Sequence, residues 1–315
     1  MENQTKAQII LIIDEFIEYL KSISSQEPIE FERNVHQKLH EINELSLQSL
    51  GLRPELIKYT FEATVPIVEK GFLHTQSRRK TFGYTGDFLN MDYVMTYKTE
   101  SKGEGRLWDE LYHKLPAALA VRNRKEFFNK KLFETYQELN RKLSVLDIVG
   151  GSCRDVRDAL IKSGDKALNF DFHFVDSDPN AITYAQNLLN EVPDIQNIKM
   201  EWTNKNIFRF KPTRQYDFIW CLGLFDYLKD HVAISLIKKM WDWIRTGGKM
   251  IFGNFHPKDP SRNWFVWILD WILLYRVESE LISLCTEAGI PLECIQIQQE
   301  ASGVNLFCVV TKPSD

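Results

Sequence analysis

A chain of 315 residues is too long for one small core, so it folds as one large or two unequal domains. With 44% hydrophobic and 26% charged residues it is ordinary for a globular protein, and a net charge of −4 without long Lys or Arg runs does not suit a protein that grips nucleic-acid phosphates. The five cysteines, Cys153, Cys221, Cys285, Cys294 and Cys308, are odd in number and include no C-x-x-C pair, which speaks for reduced thiols in the cytoplasm and against a zinc site.

The first residues, Met1 to Lys6, lack the basic and apolar regions of a signal peptide. Ile9, Ile13, Phe16, Ile17 and Leu20 recur at helical spacing, and the pattern predicts helices over 5–24, 28–50 and 54–70. Between Gly71 and Gly105 the periodicity breaks around Gly83-Tyr84-Thr85-Gly86-Asp87-Phe88, predicting a structured loop or lid. A helix over 106–141 then leads onward.

From Ser144 short apolar runs alternate with helical patterns. Strands are expected at 145–149, 172–175, 198–202, 218–222, 250–252 and 306–310, with helices at 154–163, 179–190, 230–244 and 263–288. Such crossovers predict an α/β fold with a doubly wound, mostly parallel sheet, divided into a helical N-terminal domain and lid at 1–140 and a ligand-binding domain at 141–315. The most apolar stretch, 264–275, is interrupted by Asp270 and falls short of the roughly 20 residues a membrane-spanning helix needs.

The chemistry concentrates at strand ends. Asp147, Gly150 and Gly151 close the first strand, where glycine lets a ligand approach the backbone and the carboxylate addresses a charged ligand end; a plain turn is the alternative. Asp176 and Ser177 end the second strand, where such folds hold ribose hydroxyls, while Asp178-Pro179 fits a helix cap. Asn204 and Asn206 follow the third strand and are read on an adenine edge or as surface turn residues. The spacing is not the Gly-x-Gly-x-x-Gly of a dinucleotide site, and Asp147 would repel a pyrophosphate.

This ordered set resembles the class I S-adenosylmethionine (SAM)-dependent methyltransferases over residues 140–312. Asp147 to Gly151 resembles their first motif, Asp176 their ribose carboxylate, and Thr246-Gly247-Gly248 their turn before the fifth strand, although Val149 and Cys153 stand where the family often has glycine. The resemblance implies a Rossmann-like class I methyltransferase sheet, SAM as cofactor with S-adenosylhomocysteine (SAH) as product, no metal, and Cys221 on the cofactor. The sequence Cys221 to Tyr227 lacks the Asn/Asp-Pro-Pro-aromatic signature of amino-group methylation, so nucleic acid and protein glutamine are disfavoured.

After the fifth strand come Gly253-Asn254-Phe255-His256-Pro257, Arg262, and the aromatic stripe Trp264, Trp267 and Trp271, then Tyr275-Arg276. Asn254 and His256 are expected in the ligand crevice, His256 alternatively as a loop histidine bonded to backbone. The stripe reads as buried core or as the wall of an apolar pocket with Arg262 or Arg276 on an anionic head. Together with residues 83–88, 120–124, 223–228 and 303–307, these blocks resemble bacterial methyltransferases that make 3-hydroxy fatty acid methyl esters as quorum-sensing signals. That likeness implies a small apolar substrate with an anionic head, no stable membrane insertion, and O-methylation of a carboxylate oriented by His256, Tyr227 and Asn254. It further implies substrate contacts from Phe225, Asp226, Arg262, Trp267, Trp271, Tyr275 and Arg276, Arg122 and Arg124 on the cofactor carboxylate or substrate anion, and Tyr84 and Asp87 closing the site. Methylation of another molecule's hydroxyl or amine, and a non-catalytic SAM-binding regulator, are the competing readings.

Overall fold

The computed structural model describes residues 2–314; Met1 and Asp315, the outer ends of the expected domains, lie outside them. The described residues divide into two compact units, one running to residue 119 together with 259–272 and one of residues 120–258 together with those from 273 onward. This corrects the expected boundary at 140 in two ways: the break falls about twenty residues earlier, and a segment far down the chain returns to the first unit.

The first unit is helical. α1 (Glu2–Leu20), α2 (Pro28–Leu47) and α3 (Arg53–Val68) bury Ile13, Phe16, Leu20, Phe31, Leu39 and Ile42, the stripes that the 3.6-residue period sets on one face. α2 starts sharply because Pro28 sits in its first turn and the Glu27 carboxylate accepts the N–H groups of Ile29 and Glu30. The expected loop at 71–105 instead holds α4 (Phe72–Arg79) and α5 (Phe88–Thr96), short helices separated by the glycine-rich turn, with Asp87 capping α5. α6 (Glu104–Lys114) follows, and α7 (Pro116–Leu139) runs across the boundary after Leu119.

The second unit carries a seven-stranded sheet in the order β3-β2-β1-β4-β5-β7-β6. Its strands are β1 (Leu143–Ile148), β2 (Phe170–Asp176), β3 (Met200–Asn204), β4 (Tyr216–Cys221), β5 (Ile244–Phe255), β6 (Ile295–Gln299) and β7 (Asn305–Thr311). All pairs are parallel except those of β7, which runs antiparallel to β5 and β6. Helices α8 (Arg154–Ser163), α9 (Pro179–Leu189), α10 (Asp230–Trp243) and α12 (Glu278–Glu287) connect the strands, and α11 (Arg262–Ile268) belongs to the helical unit. Leu146, Ile219 and Phe252 pack with α10 and α12 on one face, and Val145, Phe172 and Phe218 with α8, α9 and Phe128 of α7 on the other. Burial on both faces is why the central strands read as nearly continuous apolar runs.

The helix expected over 263–288 is broken. α11 ends at Ile268, Asp270 takes a left-handed φ of 48°, and regular helix resumes only at Glu278. Strand order reverses between β1 and β4, and at such a switch point the carboxyl ends of adjacent strands diverge to leave a crevice.

Candidate functional site

β1 ends in a turn with three left-handed residues: Val149 at φ 57°, Gly151 at 57° and Cys153 at 51°. Only glycine adopts this without cost, so Val149 and Cys153 store strain that the surrounding bonds enforce. Val149 N–H donates to Val175 O and Cys153 N–H to Gly150 O, both at 2.9 Å. Gly150 is required for another reason: a Cβ there would lie 2.6 Å from Asp147 Oδ2 and 2.9 Å from Cys153 Sγ.

Asp147 is fully buried beneath this turn. Its Oδ1 has no hydrogen-bond partner, and its Oδ2 has only the Cys153 thiol at 3.8 Å. Burial, and then the nearby carboxylates Asp155 and Asp176, hold its carboxyl well above the usual range. Asp155, in the first turn of α8, accepts Trp220 Nε1–H at 3.0 Å; burial raises its pKa and the Arg124 guanidinium pulls it back. Burial likewise raises Asp176, against backbone N–H groups of Asp178, Gly151 and Ser177 that stabilise its anion. Leaving a buried carboxylate oxygen unpaired beside two others costs free energy, which a cationic ligand offsets. Among the described residues no group of His, Cys, Asp or Glu is arranged to hold a metal ion. The donor set fits an organic cation carrying hydroxyls.

The flanking residues sort differently. Ser177 is exposed beside Asp176, and Gly151 supplies its backbone N–H. Asn204 is exposed and donates from Nδ2 to Asp176 O at 3.2 Å, while the Asn206 side chain accepts Phe208 N–H and caps a 3-10 turn, its surface-turn role. Cys221 lies in the core with its thiol pushed up by burial, which removes it from the expected cofactor set. Past β4, Gly223 at φ 75° turns the chain into a 3-10 turn over Phe225–Tyr227. Tyr227 is exposed there and Asp226 is buried. Asp226 Oδ1 accepts Phe255 N–H at 2.7 Å, and burial, against this bond and then Arg124 and Arg276, raises its pKa to about 6.

Several expected substrate contacts are instead structural. Phe225 is fully buried and stacks on Phe252 at 4.2 Å between centroids. Arg276 spends all its donors on Asp230, Phe225 O, Asn254 Oδ1 and Leu228 O, so it has none for an anionic head. Asn254 completes that clamp with 2.7 Å to Leu274 O, which removes it as a catalytic candidate. His256 is buried and accepts Lys258 N–H at Nδ1; its proton therefore sits on Nε2, 3.6 Å from Glu278, the wrong tautomer for a base at that nitrogen. Tyr275 is half-buried in an open groove of about 500 Å³ with Lys229, Asp230 and Glu280.

In the helical unit, Trp267 is fully buried, donates to Asn43 at 3.4 Å and lies under Arg53, which makes it core. Trp271 stacks on Phe265 at 4.6 Å, and Gly86 at φ 76° is the only residue type that fits against its ring. Tyr84 and Arg262 are exposed in the same unit. Arg122 is half-buried on the sheet unit's part of α7. Sequence reasoning missed Asp155, whose signal was an acidic residue opening the helix after the glycine turn.

The strand order, with its single antiparallel β7 inserted beside β5, is the fold of the class I SAM-dependent methyltransferases. At 14% identity the chain is similar to a possible exported protein from Bordetella parapertussis over 98% of this chain and 97% of that one, with a TM-score of 0.60. It is also similar to magnesium protoporphyrin IX methyltransferase (ChlM) from Synechocystis PCC 6803 with bound SAH, at 13% identity over 76% of this chain and 99% of that one, with a TM-score of 0.52. No family model and no curated relative matches the chain.

Proposed function

We propose that this chain is a SAM-dependent small-molecule O-methyltransferase whose acceptor is the carboxylate of a fatty or 3-hydroxy fatty acid. The carrying observation is the buried trio of Asp147, Asp155 and Asp176 at a glycine turn, with one carboxylate oxygen of Asp147 unpaired. Asp147 would face the cofactor's ammonium end and Asp176 its ribose hydroxyls, with Gly150 and Gly151 leaving room. When bound, SAM supplies a methyl group on a sulfonium, open to in-line attack. A fatty carboxylate is already ionised at neutral pH, so the chain's own groups need only orient it and exclude water. Tyr227, at the tip of β4, is the remaining candidate for orienting the attacking oxygen. The five buried cysteines, none bridged, fit a cytoplasmic setting, and among the described residues no helix is long and apolar enough to cross a membrane.

Incubation with methyl-labelled SAM and a panel of fatty and 3-hydroxy fatty acids tests the proposal. Label is expected in alkali-labile esters; tight SAM binding with no transfer to any acid or hydroxyl acceptor would assign the fold to a regulator instead.

A further inference from the structure

Cys285 and Cys308 meet inside the sheet unit. Cys308 lies in the middle of β7, opposite Phe252 of β5 on one side and Ile297 of β6 on the other. Cys285 lies in the last turn of α12, which packs on that face of the sheet. Both side chains are fully buried, and their sulfurs stand 3.4 Å apart. Cys153, by contrast, has the Asp147 carboxylate at 3.8 Å.

A disulfide holds its sulfurs at about 2.0 Å, so closing this pair takes an approach of about 1.4 Å. β7 is held in register along both edges, which leaves the movement to α12. Ala288 caps that helix and Gly289 follows at φ 89°, with nothing within 4 Å of where its Cβ would stand, so the last turn has room to shift. In the folded dithiol, burial and then the adjacent Cys285 thiol push the Cys308 thiol well above its ordinary range. The attacking thiolate is therefore scarce, and the closed pair is slow to oxidise. While the chain is still folding its thiols are open, and the seating of α12 on β7 then selects which two sulfurs join.

We propose that Cys285 and Cys308 are a redox-dependent staple, a dithiol in reducing surroundings and a disulfide tying α12 to β7 where the chain folds in oxidising ones. The oxidant is a small disulfide such as oxidised glutathione. Each thiol gives up its proton and the pair gives up two electrons; the glutathione S–S bond breaks, the bond between Cys285 and Cys308 forms, and two reduced glutathione thiols leave with the protons. The new bond closes the loop over residues 285–308, which restricts the unfolded chain and raises the stability of the sheet unit. The staple belongs to the scaffold and works whatever the methyl acceptor is.

Cell-free synthesis of the full chain tests this, once with excess reduced and once with excess oxidised glutathione, so that folding takes place while the thiols are open. Free thiols of the soluble product are then blocked with iodoacetamide in denaturant, and the digest is mapped by mass spectrometry. The reduced product should carry label on all five cysteines. The oxidised product should carry it on Cys153, Cys221 and Cys294, with the peptides of Cys285 and Cys308 joined, and should melt roughly 5–10 °C higher. Cys308→Ala should make the two products melt alike; should that variant fail to fold, the wild-type peptide map and melts decide by themselves. Five labelled cysteines in the oxidised product, a bridge through Cys153, Cys221 or Cys294, an insoluble oxidised product, or equal melting temperatures overturn the inference.

Discussion

Asp147 and Gly150 show what a single position controls. Replacing Gly150 by Ala drives a methyl into the Asp147 carboxylate. Cofactor affinity should fall at least tenfold, and because the clash lies in the unliganded turn the melting temperature of the free protein should also fall, by several degrees, as isothermal titration and thermal melts would show. Asp176→Ala should weaken SAM binding by a similar factor, and unchanged affinity would remove it from the ribose. The raised pKa of Asp147 has a definite sign: its contribution to stability is present below the unfolded carboxylate range and lost as pH rises. A cationic ligand offsets that loss, so the melting-temperature gain on adding SAM should grow from pH 6 to pH 8, and Asp147→Asn should flatten it. The strand-end acids were legible because a charged residue closing an apolar run has few structural excuses. Asn254, Phe225, Arg276 and Cys221 were not, because a sequence places a residue near a strand end without saying whether its side chain meets solvent or its own fold.

At the scale of elements, the segment between α11 and α12 is held by a few isolated backbone bonds and by the Arg276 side chain rather than by a continuous ladder. Arg276 N–H donates to Phe255 O at 3.1 Å and Leu274 N–H to Asp226 O at 2.7 Å, with the Arg276 guanidinium filling the space between. Arg276→Met strands Asn254 and two backbone carbonyls, at a cost of about 3 kcal/mol. The melt of the sheet unit should drop by roughly 6–12 °C. Arg276→Lys, which cannot reach the same four partners, should recover little of it. The parallel strands were readable from their apolar runs, and α8 was expected at the ten residues it occupies. β6 was missed because a half-exposed edge strand of alternating Ile and Gln carries little apolar signal. α4 and α5 were hidden by the glycines between them, which punctuate helices as well as loops. A single helix over 263–288 was expected because Asp270 was weighed as one polar residue in an apolar run, whereas its left-handed backbone marks the helix break.

At the scale of the whole molecule, each unit holds one buried group whose response to acid has the opposite sign to the other's. His74 of the helical unit is fully buried among Trp108, Tyr112 and Trp264, with neither ring nitrogen bonded, and burial lowers its pKa to about 3. Its contribution is present above the unfolded histidine range near 6.5 and is lost as pH falls. From pH 7 to pH 5 that loss is on the order of 2 kcal/mol. Asp226, raised to about 6, acts the other way in the sheet unit, whose stability gains as pH drops through that value. Scanning calorimetry should therefore show the helical unit melting earlier at pH 5 than at pH 7, and His74→Phe should abolish that shift.

The return of residues 259–272 to the helical unit means that the chain passes from one unit to the other more than once. Severing it at Leu119 would not release a free-standing catalytic half. A fragment beginning at Ala120 would still carry Trp264 and Trp267, both fully buried in the intact protein, as an orphaned greasy loop. Neither unit is a removable accessory, and any shuffling of this architecture between proteins has to carry the loop and its helical host as a pair.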